Sequence, residues 1–213
     1  EIALKLGNKT ALIFGDRTFT FAELDRLSNR VANGLTAMGI EPGDRVTLYA
    51  QNGWEWVVSY YGIAKTGAVL NPINVMLTPQ EVAFVVKDCG AKALFTTADR
   101  AAPILALKDD TDLAEIVTFG AGSPDGAVAF DDLIIGGSDD FDAVAVEATA
   151  LGKICYTSGT TGFPKGAMLS HRNVVLNAAM TAAMNMRVAD DVQLTALPCA
   201  HVYGAAIMNL CFL

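Results

Sequence analysis

Short apolar runs with strand chemistry alternate with capped, helix-periodic segments along most of this chain, and that alternation constrains the fold more than anything else in the sequence. Thr20 and Glu23 have capping-box spacing, in which a hydroxyl and a carboxylate each satisfy a free backbone N–H. Leu24, Leu27, Val31, Leu35 and Met38 then share one helical face, and Gly39 provides the stop. Residues 45–50 read as a buried strand, 54–65 as a helix and 68–71 as the next strand. Thr78-Pro79-Gln80-Glu81 repeats the cap with proline at the first helical position, and Gly90 closes a helix whose inner face is Val82, Val85, Val86 and Cys89. Further strands are expected at 93–96, 115–119, 153–157 and 192–197. Strand, helix, strand in repetition needs crossover connections, which pair strands in parallel and put helices on the sheet faces. The fold class is α/β, with layered αβα sheets.

Composition narrows the function. With 52% hydrophobic and 18% charged residues the chain can build a core, which excludes disorder. A net charge of −8 argues against a nucleic-acid backbone as partner. The acids concentrate between residues 98 and 150, where only Arg100 and Lys108 are basic. Neither Asp109-Asp110-x-Asp112 nor Asp139-Asp140-x-Asp142 has the ligand order of a calcium loop, so a solvated outer face is the expectation. Cys89, Cys155, Cys199 and Cys211 form no C-x-x-C pair and read as reduced thiols. No run approaches the ~18 apolar residues of a membrane helix, and no basic-then-apolar leader opens the chain, so a cytoplasmic location is expected. The chain opens at Glu1 without a methionine and stops inside the apolar run 208–213, which reads as a piece of a longer protein.

The chemistry lies after the strand at Ile154-Cys155-Tyr156. Thr157-Ser158-Gly159-Thr160-Thr161-Gly162-Phe163-Pro164-Lys165-Gly166 holds three glycines, four hydroxyls and one lysine. A glycine-rich turn between strand and helix lets backbone N–H groups converge on an anion, because glycine accepts the dihedrals and keeps Cβ atoms away. The hydroxyls add donors and Lys165 adds a full charge, a composition suited to phosphate. It is not the common P-loop, which has glycine directly before the lysine and Ser or Thr directly after it; here Pro164 precedes Lys165 and Gly166 follows. Ser170 then caps a helix whose apolar side is Val174, Val175, Ala178, Ala179, Ala182, Ala183 and Met186.

The string from Tyr156 to Gly166, continuing through His171, resembles the phosphate-loop signature of the adenylate-forming, AMP-binding superfamily. That superfamily includes acyl- and aryl-CoA synthetases, adenylation domains of nonribosomal peptide synthetases, and firefly luciferase. Leu197-Pro198-Cys199-Ala200-His201-Val202-Tyr203-Gly204 is similar to its downstream histidine motif, departing from it at Ala200, where the family often carries a bulky aromatic. Phe21-Ala22-Glu23-Leu24, Gly43-Asp44-Arg45-Val46 and Gly67-Ala68-Val69-Leu70-Asn71-Pro72-Ile73-Asn74 look like N-terminal landmarks of the same family.

The resemblance implies an acyl-CoA synthetase, a ligase that activates a carboxylic acid with Mg-ATP to an acyl-adenylate and then transfers the acyl group to coenzyme A. It implies that Thr157, Ser158, Gly159, Thr160, Thr161 and Gly162 contact the β- and γ-phosphates, that Lys165 supports them electrostatically, and that Thr160 touches magnesium. His201, with Tyr203 and Gly204, would shape the acyl pocket, and the small residues Ala200 and Ala205 hint at a medium or long acyl chain. It further implies that residues 1–213 are an incomplete N-terminal AMP-binding domain with its phosphate loop at 156–166. The rest of that domain and the small catalytic lid domain would be absent, and the piece would be inactive and self-associating alone. Two alternatives stay open: an adenylation domain or acyl-AMP ligase loading a carrier protein, and a non-catalytic nucleotide-binding module.

Overall fold

The computed structural model describes residues 2–157 and 164–212. Helix α1 (Ile2–Leu6) and a hairpin of β1 (Thr10–Phe14) and β2 (Arg17–Thr20) lead into α2 (Phe21–Ala37). Next come β3 (Arg45–Tyr49), α3 (Trp54–Lys65), β4 (Val69–Pro72), α4 (Pro79–Cys89), β5 (Ala91–Thr97) and α5 (Ala98–Leu105). After a short 3-10 turn follow β6 (Glu115–Phe119), β7 (Val128–Ala129), α6 (Phe130–Ile135), β8 (Leu151–Thr157), β9 (Lys165–Ser170), α7 (His171–Met184) and α8 (Val202–Phe212).

Local chemistry sets the boundaries. The Thr20 hydroxyl accepts the Glu23 N–H at 3.2 Å while the Glu23 carboxylate accepts the Thr20 N–H at 2.7 Å. Thr78 and Glu81 repeat the pair at 3.3 and 2.7 Å. Helix α4 ends where Gly90 turns left-handed at φ 63°, a conformation that costs a side chain energy and glycine little.

Among the described residues the main sheet has the order β7-β6-β5-β3-β4-β8-β9, with β9 antiparallel to β8 and the other pairs parallel. Alternation along the strands divides the core between its faces. Val46, Leu48, Ala93, Phe95, Val117 and Phe119 pack with Leu24, Val31 and Leu35 of α2, Ile63 of α3 and Leu133 of α6. Leu94 and Ile116 pack with Val82, Val85 and Val86 of α4 and Ala101 and Ile104 of α5. Each buried Val, Leu, Ile or Phe among them stabilises the fold by about 1.5–3 kcal/mol, and the result is the expected αβα layering. The β4–β8 join is short, with Leu70 opposite Lys153, and the side chain of Asn71 bridges it. Its Nδ2 donates to Ile154 O at 3.1 Å and its Oδ1 accepts the Thr47 hydroxyl at 2.9 Å, which ties three strands together.

Three expectations change. Residues 192–197 form no strand: Val192 and Leu194 are exposed and pair with no strand among the described residues, because the chain leaves the sheet after α7. The glycine-rich segment does not join a strand to a helix. It joins β8 to β9, and the helix begins only after β9, at the Ser170 cap. Glycine explains the hairpin, since a Cβ on Gly166 would lie 2.8 Å from Ile154 and 3.1 Å from Tyr156 across the ladder. The apolar side of α7 is also narrower than its sequence suggests, with Ala178 buried and Val175 exposed.

The acidic stretch folds outward as expected, but Asp139 has structural work. Its carboxylate takes Arg30 Nε at 2.6 Å and its carbonyl takes Asn29 Nδ2 at 2.6 Å, which pins the 136–150 segment to α2. Among the described residues no helix is long and apolar enough to cross a membrane.

Candidate functional site

Parallel strands β3, β4 and β8 end on one edge of the sheet, the edge at which α/β sheets bind ligands. The strand β8 delivers Thr157 there, and the ladder sets Lys165 of β9 directly opposite it. Lys165 is exposed, so its ammonium is available to an anion above the hairpin. Ser158, Gly159, Thr160, Thr161, Gly162 and Phe163 lie outside the described residues. Tyr156 anchors the base of the hairpin. Its hydroxyl donates to the carboxylate of Asp88 at the end of α4, and burial together with that carboxylate pushes the phenol well above its ordinary range.

The histidine motif reaches the same edge through Asn52, in the loop that leaves β3. Asn52 Oδ1 accepts the Cys199 N–H at 2.8 Å and its Nδ2 donates to Leu197 O at 2.8 Å. The Pro198 carbonyl then accepts the His201 N–H at 3.0 Å, and the His201 carbonyl accepts the Ala205 N–H at 2.9 Å as α8 begins. The His201 ring stands exposed, with Nδ1 accepting the Tyr203 N–H at 3.2 Å. Tyr203 is also exposed, whereas Gly204 is buried. A Cβ on Gly204 would sit 2.1 Å from the Pro198 carbonyl oxygen, so this glycine is required by packing under the turn. Burial pushes the Cys199 thiol up to about 11, which keeps it protonated and unreactive near neutral pH.

Sequence reasoning missed Asn52, although a polar turn (Gln51-Asn52-Gly53) between a buried strand and an apolar helix at the ligand edge was a usable signal. It also missed the environment of Lys153. That side chain is 3% exposed, with its ammonium 5.7 Å from the ring centre of Tyr60 and the thiols of Cys155 and Cys199 close by. The ring of His171 packs onto Gly152, where a Cβ would come within 3.1 Å, and its Nε2 is buried without a partner among the described residues. No group of three or more His, Cys, Asp or Glu side chains among the described residues could hold a metal ion.

Comparison with known proteins identifies the family. The family profile described as "AMP-binding enzyme" matches residues 1–213. The chain is 36% identical over 216 residues to a 3-[(3aS,4S,7aS)-7a-methyl-1,5-dioxo-octahydro-1H-inden-4-yl]propanoyl:CoA ligase of Mycobacterium tuberculosis, a match covering 96% of this chain and 42% of that protein. It is 37% identical to the long-chain-fatty-acid–CoA ligase FadD13 of the same species, covering 92% of this chain and 38% of that one. Among solved structures, ATP-bound MatB from Rhodopseudomonas palustris superposes with a TM-score of 0.82 at 32% identity, covering 92% of this chain and 38% of that one. The chain thus spans about two fifths of the length of the curated relatives it matches.

Proposed function

The chain belongs to the AMP-binding enzyme family, and from that premise we propose that the whole protein is an AMP-forming acid–thiol ligase, an acyl-CoA synthetase. In the first half-reaction a carboxylate oxygen attacks the α-phosphorus of ATP and pyrophosphate leaves. In the second, the coenzyme A thiol attacks the acyl carbonyl and AMP leaves. Residues 1–213 supply the first part of the large N-terminal domain; the remainder of that domain and the small lid domain belong to the parent, and the piece alone does not run the reaction. The setting is cytoplasmic.

Negative charge on the leaving pyrophosphate is what the site must stabilise, and preorganised donors do so without reorganising during the reaction. Thr157, Ser158, Thr160 and Thr161 supply hydroxyls. The backbone at Gly159 and Gly162 supplies N–H groups free of Cβ crowding, and Lys165 supplies positive charge. Thr160 would hold magnesium through its hydroxyl, and the ion would supply neutralisation of the phosphate charge. His201 and Tyr203 border the acid, and Gly204 lets the turn close beneath them. The acid is apolar with a medium or long chain, in keeping with Ala200 in place of a bulky aromatic and with the fatty-acid relative.

One observation carries the reading: the hairpin bearing Thr157 and Lys165 and the turn bearing His201 meet the same sheet edge, one through β8 and the other through Asn52. The test is to incubate the full-length protein with Mg-ATP, coenzyme A and a medium- or long-chain fatty acid. Acid-dependent release of AMP together with an acyl-CoA mass is expected. Turnover to an acylated carrier protein with no acyl-CoA would favour a carrier-loading enzyme, and nucleotide binding without either product would leave a binding module.

A further inference from the structure

We infer that Asn52 is a positioning residue for His201, reading the backbone of the histidine turn as a strand neighbour would. A primary amide carries a donor and an acceptor side by side in one plane. Asn52 faces its acceptor to the Cys199 N–H and its donor to the Leu197 carbonyl, each at 2.8 Å. No other side chain of similar length satisfies both: aspartate lacks the donor, leucine lacks both groups, and glutamine sets the pair one methylene further out.

Those two bonds act on His201 through a stiff path. Between the clamped Leu197 and Cys199 lies Pro198, whose carbonyl holds the His201 N–H at 3.0 Å. Beneath that carbonyl sits Gly204, where even one added carbon would lie 2.1 Å from the oxygen, so the turn has no room to collapse inward. Cys199 is buried in the core cluster that includes Trp54 and Trp56 of α3, which holds the clamp's second end in place. The exposed imidazole of His201 accepts the Tyr203 N–H at 3.2 Å, and the clamped backbone from Leu197 to His201 is what ties it to the sheet. Asn52 belongs to the loop leaving the central strand β3, so it transmits the position of the sheet to the histidine. A misplacement of about 1 Å in a reacting geometry costs on the order of 10²-fold in rate, which is the scale on which such a clamp acts.

This rests on the reading of His201 as a residue of the acid site, and the test separates the two. In the full-length protein, pyrophosphate exchange is measured for wild type, Asn52→Ala, His201→Ala and the double variant, with KM resolved for the acid and for ATP. Asn52→Ala is expected to lower kcat/KM for the acid by about 10- to 100-fold with KM for ATP within about two-fold, and to add under about two-fold once His201 is already alanine, since residues acting through one another are not additive. Hydrogen exchange of the peptide spanning 197–203 should quicken in Asn52→Ala. Asn52→Asp keeps the acceptor and should fall between; it also replaces the alanine variant if that one does not fold. An equal factor of loss in both backgrounds, or a matching rise in KM for ATP, overturns the positioning role. If His201→Ala leaves the acid parameters unchanged, the acid-site reading of His201 falls, and the clamp is then decided by hydrogen exchange, where unaltered exchange at 197–203 in Asn52→Ala overturns it.

Discussion

Replacing Lys153 by methionine should make this protein more stable, although it removes a charged residue from the middle of a strand. The side chain is 3% exposed, and among the described residues no carboxylate comes within ion-pair distance. Its ammonium hydrogen-bonds the Cys155 thiol, a weak acceptor, and a polar group withdrawn from water with incomplete partners costs about 1–3 kcal/mol by mutational measures. Against that stands a cation–π contact, which is worth about 0.5–2 kcal/mol and fades near 6 Å from the ring centre; at 5.7 Å the Tyr60 contact returns the lower end of that range. Methionine has a similar length, no branch and an adaptable thioether, so it can fill the same space. The balance predicts a gain of about 1 kcal/mol. Burial also pushes the Lys153 amine below its ordinary value of 10.5, against the smaller pull of Cys155 and Cys199. Between that depressed value and 10.5 the unfolded chain binds more protons than the folded one, so wild-type stability gains from rising pH across this window. Methionine has no such dependence, so its advantage should be largest at neutral pH and shrink toward the top of the window. Thermal unfolding of the full-length protein and of Lys153→Met, at neutral pH and near that upper end, gives both quantities. A lower Tm for the variant at neutral pH, or an advantage that does not shrink with pH, would refute the reasoning.

Other perturbations follow from the site. Gly204→Ala forces a carbon to within 2.1 Å of the Pro198 carbonyl; overpacking of this kind costs about 1–3 kcal/mol, and a melting curve unchanged from wild type would contradict it. Lys165→Ala should slow acyl-adenylate formation by on the order of 10²–10³ while sparing the thiol step, as measured by pyrophosphate exchange and by thioester release from preformed adenylate; equal losses would make Lys165 structural. The 213-residue chain on its own should self-associate. Met180 and Met184 of α7 and Leu194 stand exposed, and apolar surface of this kind favours association; light scattering showing a monomer at high concentration would contradict that.

What was legible in the sequence was local. The Thr20–Glu23 and Thr78–Glu81 boxes and the left-handed stop at Gly90 depend on residues within a turn of one another, so they can be read directly and they form as expected. Strand identity depends on partners. Residues 153–157 and 115–119 find parallel neighbours, whereas Val192 and Leu194 have the same β-branched and aliphatic chemistry but no strand beside them among the described residues. The strand β9 escaped notice because Gly166 looked like part of a turn, and only the cross-strand approach of Tyr156 gives it a place in a ladder. The apolar run 202–212 carries no period that separates a helix from a strand, and it folds as α8 with Phe212 set against the rings of Phe21 and Tyr61. At the candidate site, the motifs that single out Thr157, Lys165 and His201 are local strings, whereas the Asn52 clamp joins residues 145 positions apart and leaves no local trace.

The most direct test of the account is exchange of labelled pyrophosphate into ATP by the full-length protein, across a panel of carboxylic acids with magnesium present. Exchange that appears only with an acid, is strongest for medium or long apolar chains and collapses in Lys165→Ala is the predicted result. Tight ATP binding with no acid-dependent exchange for any member of the panel would contradict it.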